Sequence, residues 1–313
     1  MGLNQNVFIL NPLPPRQGAL SRTFEFTWVD VFSKRPLEGN QLAVFNDARG
    51  LSDPEMQALA RETALSETTF VIPREPEVER EKGVRARIFT LSQELNFAGH
   101  PSLGTATVLA RGDRRKEISL ELNSGTIPVR FEGWEESRVY AEMTQPEPWV
   151  GRLHRPEEVA KALGCVAEDF DPNYPIQTVS TGNAFVIVPF RSLDFLSRLN
   201  PDVRRMQHYL QTTDGTLFYL VCRDTVDPQA KLHARMIFPG SEDPATGSAA
   251  GPAATWMLIH KLIQPEETVV IEQGIEIRRP SEMSVTVGID RGRPTKVRVG
   301  GHVVVVMTGR LTL

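Results

Sequence analysis

Cysteine is scarce in this chain, with two residues, Cys165 and Cys222, among 313. Two thiols 57 positions apart in sequence (222 − 165 = 57) build neither a disulfide framework nor a metal cluster. They read as small buried hydrophobes in a reducing, cytoplasmic compartment. No run is long and apolar enough to cross a bilayer. Met1 to Leu20 lacks a basic start, and Val7-Phe8-Ile9-Leu10 is too short for a signal core, so residues 1–20 read as a Pro-containing leader. Charge is nearly balanced at −4, without a basic stripe, which argues against a nucleic-acid partner. The mixed-sign run Arg74 to Arg87 reads as a solvated loop or hairpin turn. No cluster with metal-ligand spacing is visible, so neither metal nor cofactor is expected.

What is present is a pattern written twice. Gly39-Asn40 precedes His100-Pro101-Ser102-Leu103-Gly104, and Gly182-Asn183 precedes Asp243-Pro244-Ala245-Thr246-Gly247. Both landmarks share one offset (182 − 39 = 143; 244 − 101 = 143). So long a period points to two duplicated domains rather than a solenoid. The copies differ where His100 stands against Asp243, so related lobes would set unlike ionisable groups across one cleft.

Apolar periodicity predicts strands at 24–32, 42–45, 67–72, 85–90, 117–122, 126–132 and 138–143, then 176–181, 184–189, 217–223 and 234–238. A strand-like tail follows at 269–274, 284–289, 296–299 and 303–313. Ser52 and Glu55 have capping-box spacing, and Leu51 with Met56 fits a hydrophobic staple, so a helix starts there. Further helices are expected at 155–163 and 202–211, and a linker at 145–148. The result is a strand-rich α+β chain, not alternating βαβ. Its boundaries are expected at 21–144 for an N-terminal lobe, completed by strand 303–313, and 145–302 for a C-terminal lobe.

The helices at 103–110 and 246–250 follow Pro101 and Pro244, which suit a first helical position. Gly104 and Gly247 each cost a helix about 1 kcal/mol relative to alanine, so close approach of a neighbour or ligand is expected there. Two converging helix N-termini would offer free N–H groups to an anion. Asp243 has a plain alternative reading as an N-cap. His100 is a poor cap and has no such reading, although histidine is also common in cores and on surfaces. Glu67 alone reads as a surface carboxylate. It opens a strand with apolar residues on both faces, however, and burial there would raise its pKa toward the range of a general acid/base.

Ser66-Glu67-Thr68-Thr69-Phe70-Val71, Arg87-Ile88-Phe89-Thr90, Glu94 to Pro101 and Glu242 to Ala249 together resemble the phenazine-biosynthesis PhzF family. Val29 to Phe32 and Gly39 to Phe45 also fit, and motif order matches from about residue 23 to the end. The resemblance implies a diaminopimelate-epimerase-like fold: two mirrored lobes, each a β-roll or half-barrel around a central helix. It also implies a homodimer and cofactor-free isomerisation of the trans-2,3-dihydro-3-hydroxyanthranilate type, with a small carboxylic acid as substrate. The family's catalytic residues match Glu67, His100 and Asp243; Gly99, Gly247, Ser248 and Asn40 are the expected substrate-binding positions. Leu91-Ser92 departs from the family's proline-containing loop. The cysteine pair of distant racemases is missing from both helix starts. An amino- or hydroxy-acid epimerase using Glu67 and Asp243 stays open as an alternative, as does a ligand- or protein-binding module without turnover.

Overall fold

The computed structural model describes residues 21–238 and 240–313, so the leader at 1–20 lies outside the described residues. The first half runs β1 (Thr23–Val31), β2 (Asn40–Phe45), α1 (Asp53–Thr63), β3 (Glu67–Ile72), α2 (Pro76–Lys82), β4 (Val84–Thr90), β5 (Glu94–Leu95), α3 (Gly99–Ala110), β6 (Glu117–Leu122), β7 (Gly125–Glu132) and β8 (Arg138–Thr144). The second runs β9 (Trp149–Leu153), α4 (Pro156–Leu163), β10 (Gln177–Ser180), β11 (Ala184–Phe190), α5 (Leu193–Arg198), α6 (Val203–Leu210), β12 (Leu217–Cys222) and β13 (Ala230–Arg235). It ends with β14 (Ile237–Phe238), β15 (Ser241–Glu242), α7 (Gly247–Ile259), β16 (Val269–Gln273), β17 (Ser281–Asp290) and β18 (Arg293–Thr312). This is the strand-rich α+β architecture expected from the sequence, with a barrel-like sheet and few helices. No helix among the described residues is long and apolar enough to cross a membrane.

The strands pair in one order, used twice. Along β1-β2-β3-β4-β6-β7-β8 the pairings are antiparallel, parallel, antiparallel, parallel, antiparallel and antiparallel. Along β10-β11-β12-β13-β16-β17-β18 the series is the same. In each series the helix carrying a Pro-x-x-Gly motif sits in the crossover of the second parallel pair. The long strand β18 pairs with β17 over its first part, with β8 over its middle and with β1 over Val303–Thr312. That last pairing closes β1-β2-β3-β4-β6-β7-β8-β18 into a ring.

Helix α3 runs inside this ring, touching β1, β2, β3, β6, β7, β8 and β18. A helix enclosed by strands must be apolar all round and narrow, which explains its composition of Gly, Ala, Ser and Thr. Gly104 answers to this packing and not to a ligand: a Cβ there would lie 2.6 Å from Leu42 Cδ2 and 3.0 Å from Val29 Cγ2. The one large aliphatic side chain of its first two turns, Leu103, is wholly buried and stabilises the ring by about 1.5–3 kcal/mol. Helix α7 holds the same place against β10, β11, β17 and β18. It continues through Pro252 to Ile259, well past the expected stop at 250. An interior proline costs about 3 kcal/mol, and burial of nearly every other residue of this helix outweighs that.

Several local expectations need correction. Arg74 to Arg87 is not a loop or hairpin: it holds α2 and most of β4. Pro76 starts the helix, acidic Glu77 and Glu79 sit in its first turn, and Arg80 and Lys82 in its last, so the alternating charge suits the helix dipole. Strand β9 and helix α5 were not anticipated. The Ser52–Glu55 capping interaction is present, with the Ser52 N–H donating to Glu55 Oε2 at 2.8 Å, and Leu51 and Met56 are both buried.

Candidate active site

The candidate residues stand at the ends of elements or in the turns between them. Gly39 has φ +71° and a Cβ there would lie 2.4 Å from the Val31 carbonyl oxygen, so only glycine makes the turn that delivers Asn40 to β2. Glu67 is the first residue of β3, and Thr68 to Val71 behind it are all buried, so the strand is covered on both faces. His100 is the second residue of α3. Asp243 lies in the turn between β15 and α7.

Pro101 and Pro244 do not occupy first helical positions, and Asp243 is not an N-cap. Helix α3 begins two residues before Pro101, at Gly99, and α7 begins at Gly247 after Thr246. The Asp243 carboxylate is instead drawn sideways: Asn40 Nδ2 donates to Oδ1 at 2.7 Å, and Thr246 Oγ1 donates to Oδ2 at 2.7 Å. Asn40 spends its other amide proton on the Ala245 carbonyl at 3.0 Å, so its two N–H groups serve the turn that carries Asp243.

The two helix tips touch. A Cβ on Gly99 would lie 3.1 Å from the Ser248 nitrogen and 3.2 Å from the Gly247 carbonyl carbon. A Cβ on Gly247 would meet the Phe32 ring at 2.8 Å. Glycine at both places lets the first turns meet backbone to backbone. Their unpaired N–H groups and positive dipole ends therefore share one spot.

A cleft of about 710 Å³ opens beside this meeting point. Asn40, Glu67 and Asp243 line it, together with Thr90 to Gln93, Leu217, Met236, Ile277 and Arg279. His100, Gly99, Gly247 and Ser248 are not among its wall residues. His100 is buried, and its Nε2 lies 3.6 Å from Glu67 Oε2 with no hydrogen-bond partner. The imidazole thus meets the cleft through Glu67.

Burial sets the protonation states. It raises the Glu67 carboxyl above the ordinary range, and a hydrogen bond from Ser66 only partly opposes this. It lowers His100 to about 4 against the pull of Asp243's negative charge, so the imidazole is neutral at physiological pH. Asp243 is pushed up to about 6, by burial first and by the neighbouring Glu67 charge second. His100, Thr246 and Asn40 act in the opposite direction. Two carboxylates and a neutral imidazole so close together titrate as a coupled set.

Sequence reasoning missed the residues that hold this set. Arg279 donates from Nε to the Gly39 carbonyl at 2.9 Å and from Nη2 to the Glu38 carbonyl and Asp30, both at 2.7 Å, which pins the Asn40 turn. Gln145, placed in the expected linker, is buried and donates from Nε2 to the Gly247 carbonyl at 2.8 Å. Thr246 had a weak signal, because aspartate and threonine both favour local side-chain hydrogen bonds in turns. Arg279 and Gln145 had none.

Glu67, His100 and Asp243 thus gather at and behind one cleft of this strand-rich fold. A family model described as "Phenazine biosynthesis-like protein" matches residues 29–309, and the chain belongs to that family, the PhzF family. Trans-2,3-dihydro-3-hydroxyanthranilate isomerase of Pseudomonas fluorescens is 37% identical over 289 residues, which cover 91% of this chain and 98% of that enzyme. A Bacillus anthracis PhzF-family crystal structure superposes with a TM-score of 0.84 at 27% identity, over 93% of this chain and 100% of the other. A hydroxyproline epimerase from Agrobacterium vitis has a TM-score of 0.59 at 11% identity, over 93% of each chain, which shows a common fold alone. The chain is an enzyme of the isomerase type, which displaces the reading as a binding module without turnover.

Proposed function

We propose that the protein isomerises a small cyclic or unsaturated amino carboxylic acid of the trans-2,3-dihydro-3-hydroxyanthranilate kind by moving one proton between carbons. Glu67 is the general acid/base. As a carboxylate at the cleft wall it takes a proton from carbon, and as a carboxylic acid it returns one to another carbon on the same face. A carboxyl whose pKa is raised toward the working pH can do both. Asp243 hydrogen-bonds the substrate from the cleft wall, and once the cleft opens inward past Glu67, neutral His100 stabilises charge as it develops and the N–H groups where Gly99 meets Gly247 and Ser248 hold the substrate carboxylate. We also take the enzyme to be a homodimer of two-lobed subunits, with 21–144 and 303–313 as one lobe and 145–302 as the other. The repeated pairing order supports that division.

One observation carries this reading: the Glu67 carboxylate and the unpartnered His100 Nε2 stand 3.6 Å apart beside Asp243. The test is incubation with trans-2,3-dihydro-3-hydroxyanthranilate, following the change in conjugation by ultraviolet absorbance and the product by proton NMR. Migration of the double bond supports the proposal. Exchange at a single stereocentre with loss of optical rotation, and no migration, would make the enzyme an epimerase instead.

A further inference from the structure

Gln273, the last residue of β16, is wholly buried and commits its amide to the turn that carries Asp243 and to one tyrosine. Its Nε2 donates to the Asp243 carbonyl at 2.7 Å and to Thr246 Oγ1 at 2.9 Å. Its Oε1 accepts from the Thr246 N–H at 3.2 Å and from the Tyr219 hydroxyl at 3.0 Å. The orientation of this amide has no freedom. A main-chain N–H can only donate and a main-chain carbonyl can only accept, so Oε1 must face Thr246 N and Nε2 must face Asp243 O. The Thr246 hydroxyl therefore accepts a hydrogen bond from Gln273 Nε2, and its own single O–H is left to donate to Asp243 Oδ2, 2.7 Å away. Asn40 supplies the other oxygen with a donor that cannot reverse.

We infer that Gln273 is a positioning residue for Asp243: acting through Thr246, it fixes the direction of the hydrogen bond to the carboxylate and so favours the proton-accepting form of that group. The chain of donors runs Tyr219 to Gln273 to Thr246 to Asp243, in surroundings dry enough to strengthen each link. Without Gln273 the Thr246 hydroxyl is free to turn and accept a hydrogen bond from protonated Asp243, and the acid form gains a partner it now lacks. Two titratable groups face Asp243 from other elements, Glu67 on β3 and His100 on α3, and Tyr219 on β12 senses its charge. Neither Glu67 nor His100 reaches the Asp243 oxygens with a hydrogen bond, so Thr246 and Asn40 are the donors that set its form.

The catalytic importance of this inference rests on Asp243 acting as proposed above, and its test is made without substrate so that the two can fail separately. Protein labelled with ¹³Cγ-aspartate is titrated by NMR from about pH 4 to pH 9, with the Asp243 signal identified by its loss in Asp243→Asn. Thr246→Val and Gln273→Met should each raise the Asp243 midpoint by about one pH unit, since each removes or unlocks a hydrogen bond to the charged form. Thr246→Ser should restore the wild-type midpoint. A folded Gln273→Met protein with an unchanged midpoint overturns the inference. If Gln273→Met does not fold, the Thr246 pair decides alone, and equal midpoints in Thr246→Val and Thr246→Ser overturn it. Full turnover in Asp243→Asn would strike the catalytic reading and leave the titration result standing.

Discussion

His100 Nε2 lies 3.6 Å from Glu67 Oε2, too far for a hydrogen bond, and no other group satisfies it. A buried, neutral ring nitrogen left open beside a half-buried carboxyl is costly to keep. It is the arrangement expected where a substrate group completes the contact, because catalytic hydrogen bonds are often long before substrate arrives.

The cost has a measurable consequence at Glu67. Glu67→Gln should lower kcat by about 10²- to 10⁴-fold, the usual worth of a positioned acid/base. It should also stabilise the protein, because burial penalises the charge that the variant removes. A folded-state pKa above the unfolded value means stability is lost as pH rises, so the gain should be larger at pH 8 than at pH 5. A gain of about 1 kcal/mol would raise Tm by about 2–4 °C. Thermal unfolding of both proteins at the two pH values checks the sign.

Asp243 and His100 should give opposing pH dependences. Asp243 is raised to about 6 from 3.8, so its contribution to stability is present below about pH 4 and is lost as pH climbs through about 6. His100 is depressed to about 4 from 6.5, so its contribution is present above about 6.5 and fades as pH falls toward 4. Activity needs the carboxylates ionised, so kcat/KM should rise with pH through an acid limb near 6. Asp243→Asn should lose much of the activity and move that limb. A pH–rate profile of both proteins from pH 4.5 to 8.5 is the check.

The contact between helix tips is equally open to test. Gly247→Ala drives a methyl group into the Phe32 ring, which cannot retreat because Gly301 packs on it: a Cβ at Gly301 would be 2.6 Å from Phe32 Cδ1. We expect that substitution to cost about 1–3 kcal/mol of stability, as overpacking of cores does. Gly99→Ala has the milder clash, 3.1 Å from Ser248 N, and should reduce kcat more than it lowers Tm, by spreading the N–H groups of the two tips. Paired kcat and Tm measurements separate the two effects.

Away from the cleft, His233 is wholly buried between Glu272 at 2.8 Å and Glu276 at 3.0 Å. Burial alone would lower its pKa, but the two carboxylates more than reverse this and hold it at about 9. His233→Leu strands both acids and should cost about 3–5 kcal/mol at pH 6.5, as breaking a buried ion pair does. The wild-type contribution should shrink above pH 6.5 and vanish beyond about 9, the sign for a raised folded-state pKa. Urea unfolding at pH 6.5 and pH 9.5 measures it.

Much of the fold was legible because alternation along the strands and the repeated Gly-Asn and Pro-x-x-Gly motifs are local signals. Glu67, His100 and Asp243 could be picked out because each breaks a local rule: a carboxylate opening a two-sided strand, a histidine at a helix start, an aspartate in a duplicated motif. Strand 303–313 was expected to complete the N-terminal lobe, but its register against β1 was not legible, since partners 272 (303 − 31) to 289 (312 − 23) residues apart leave no local trace. Helix α2 was hidden by charge, which suits a solvated helix as well as a loop. Gln273 and Arg279 were invisible for another reason. Their importance lies in hydrogen bonds to backbone groups far away in sequence, and a glutamine or arginine looks the same whether it faces water or the Asp243 turn.

The most direct measurement is the reaction of trans-2,3-dihydro-3-hydroxyanthranilate in deuterated water with wild-type enzyme and with Glu67→Gln, reading the label in the product by NMR. Wild-type product should carry deuterium on the carbon that receives the proton, to the extent that the Glu67 proton exchanges with solvent between steps, and the variant should form almost none of that product. Undiminished product from Glu67→Gln, labelled at the same carbon, would contradict the assignment of proton transfer to this glutamate.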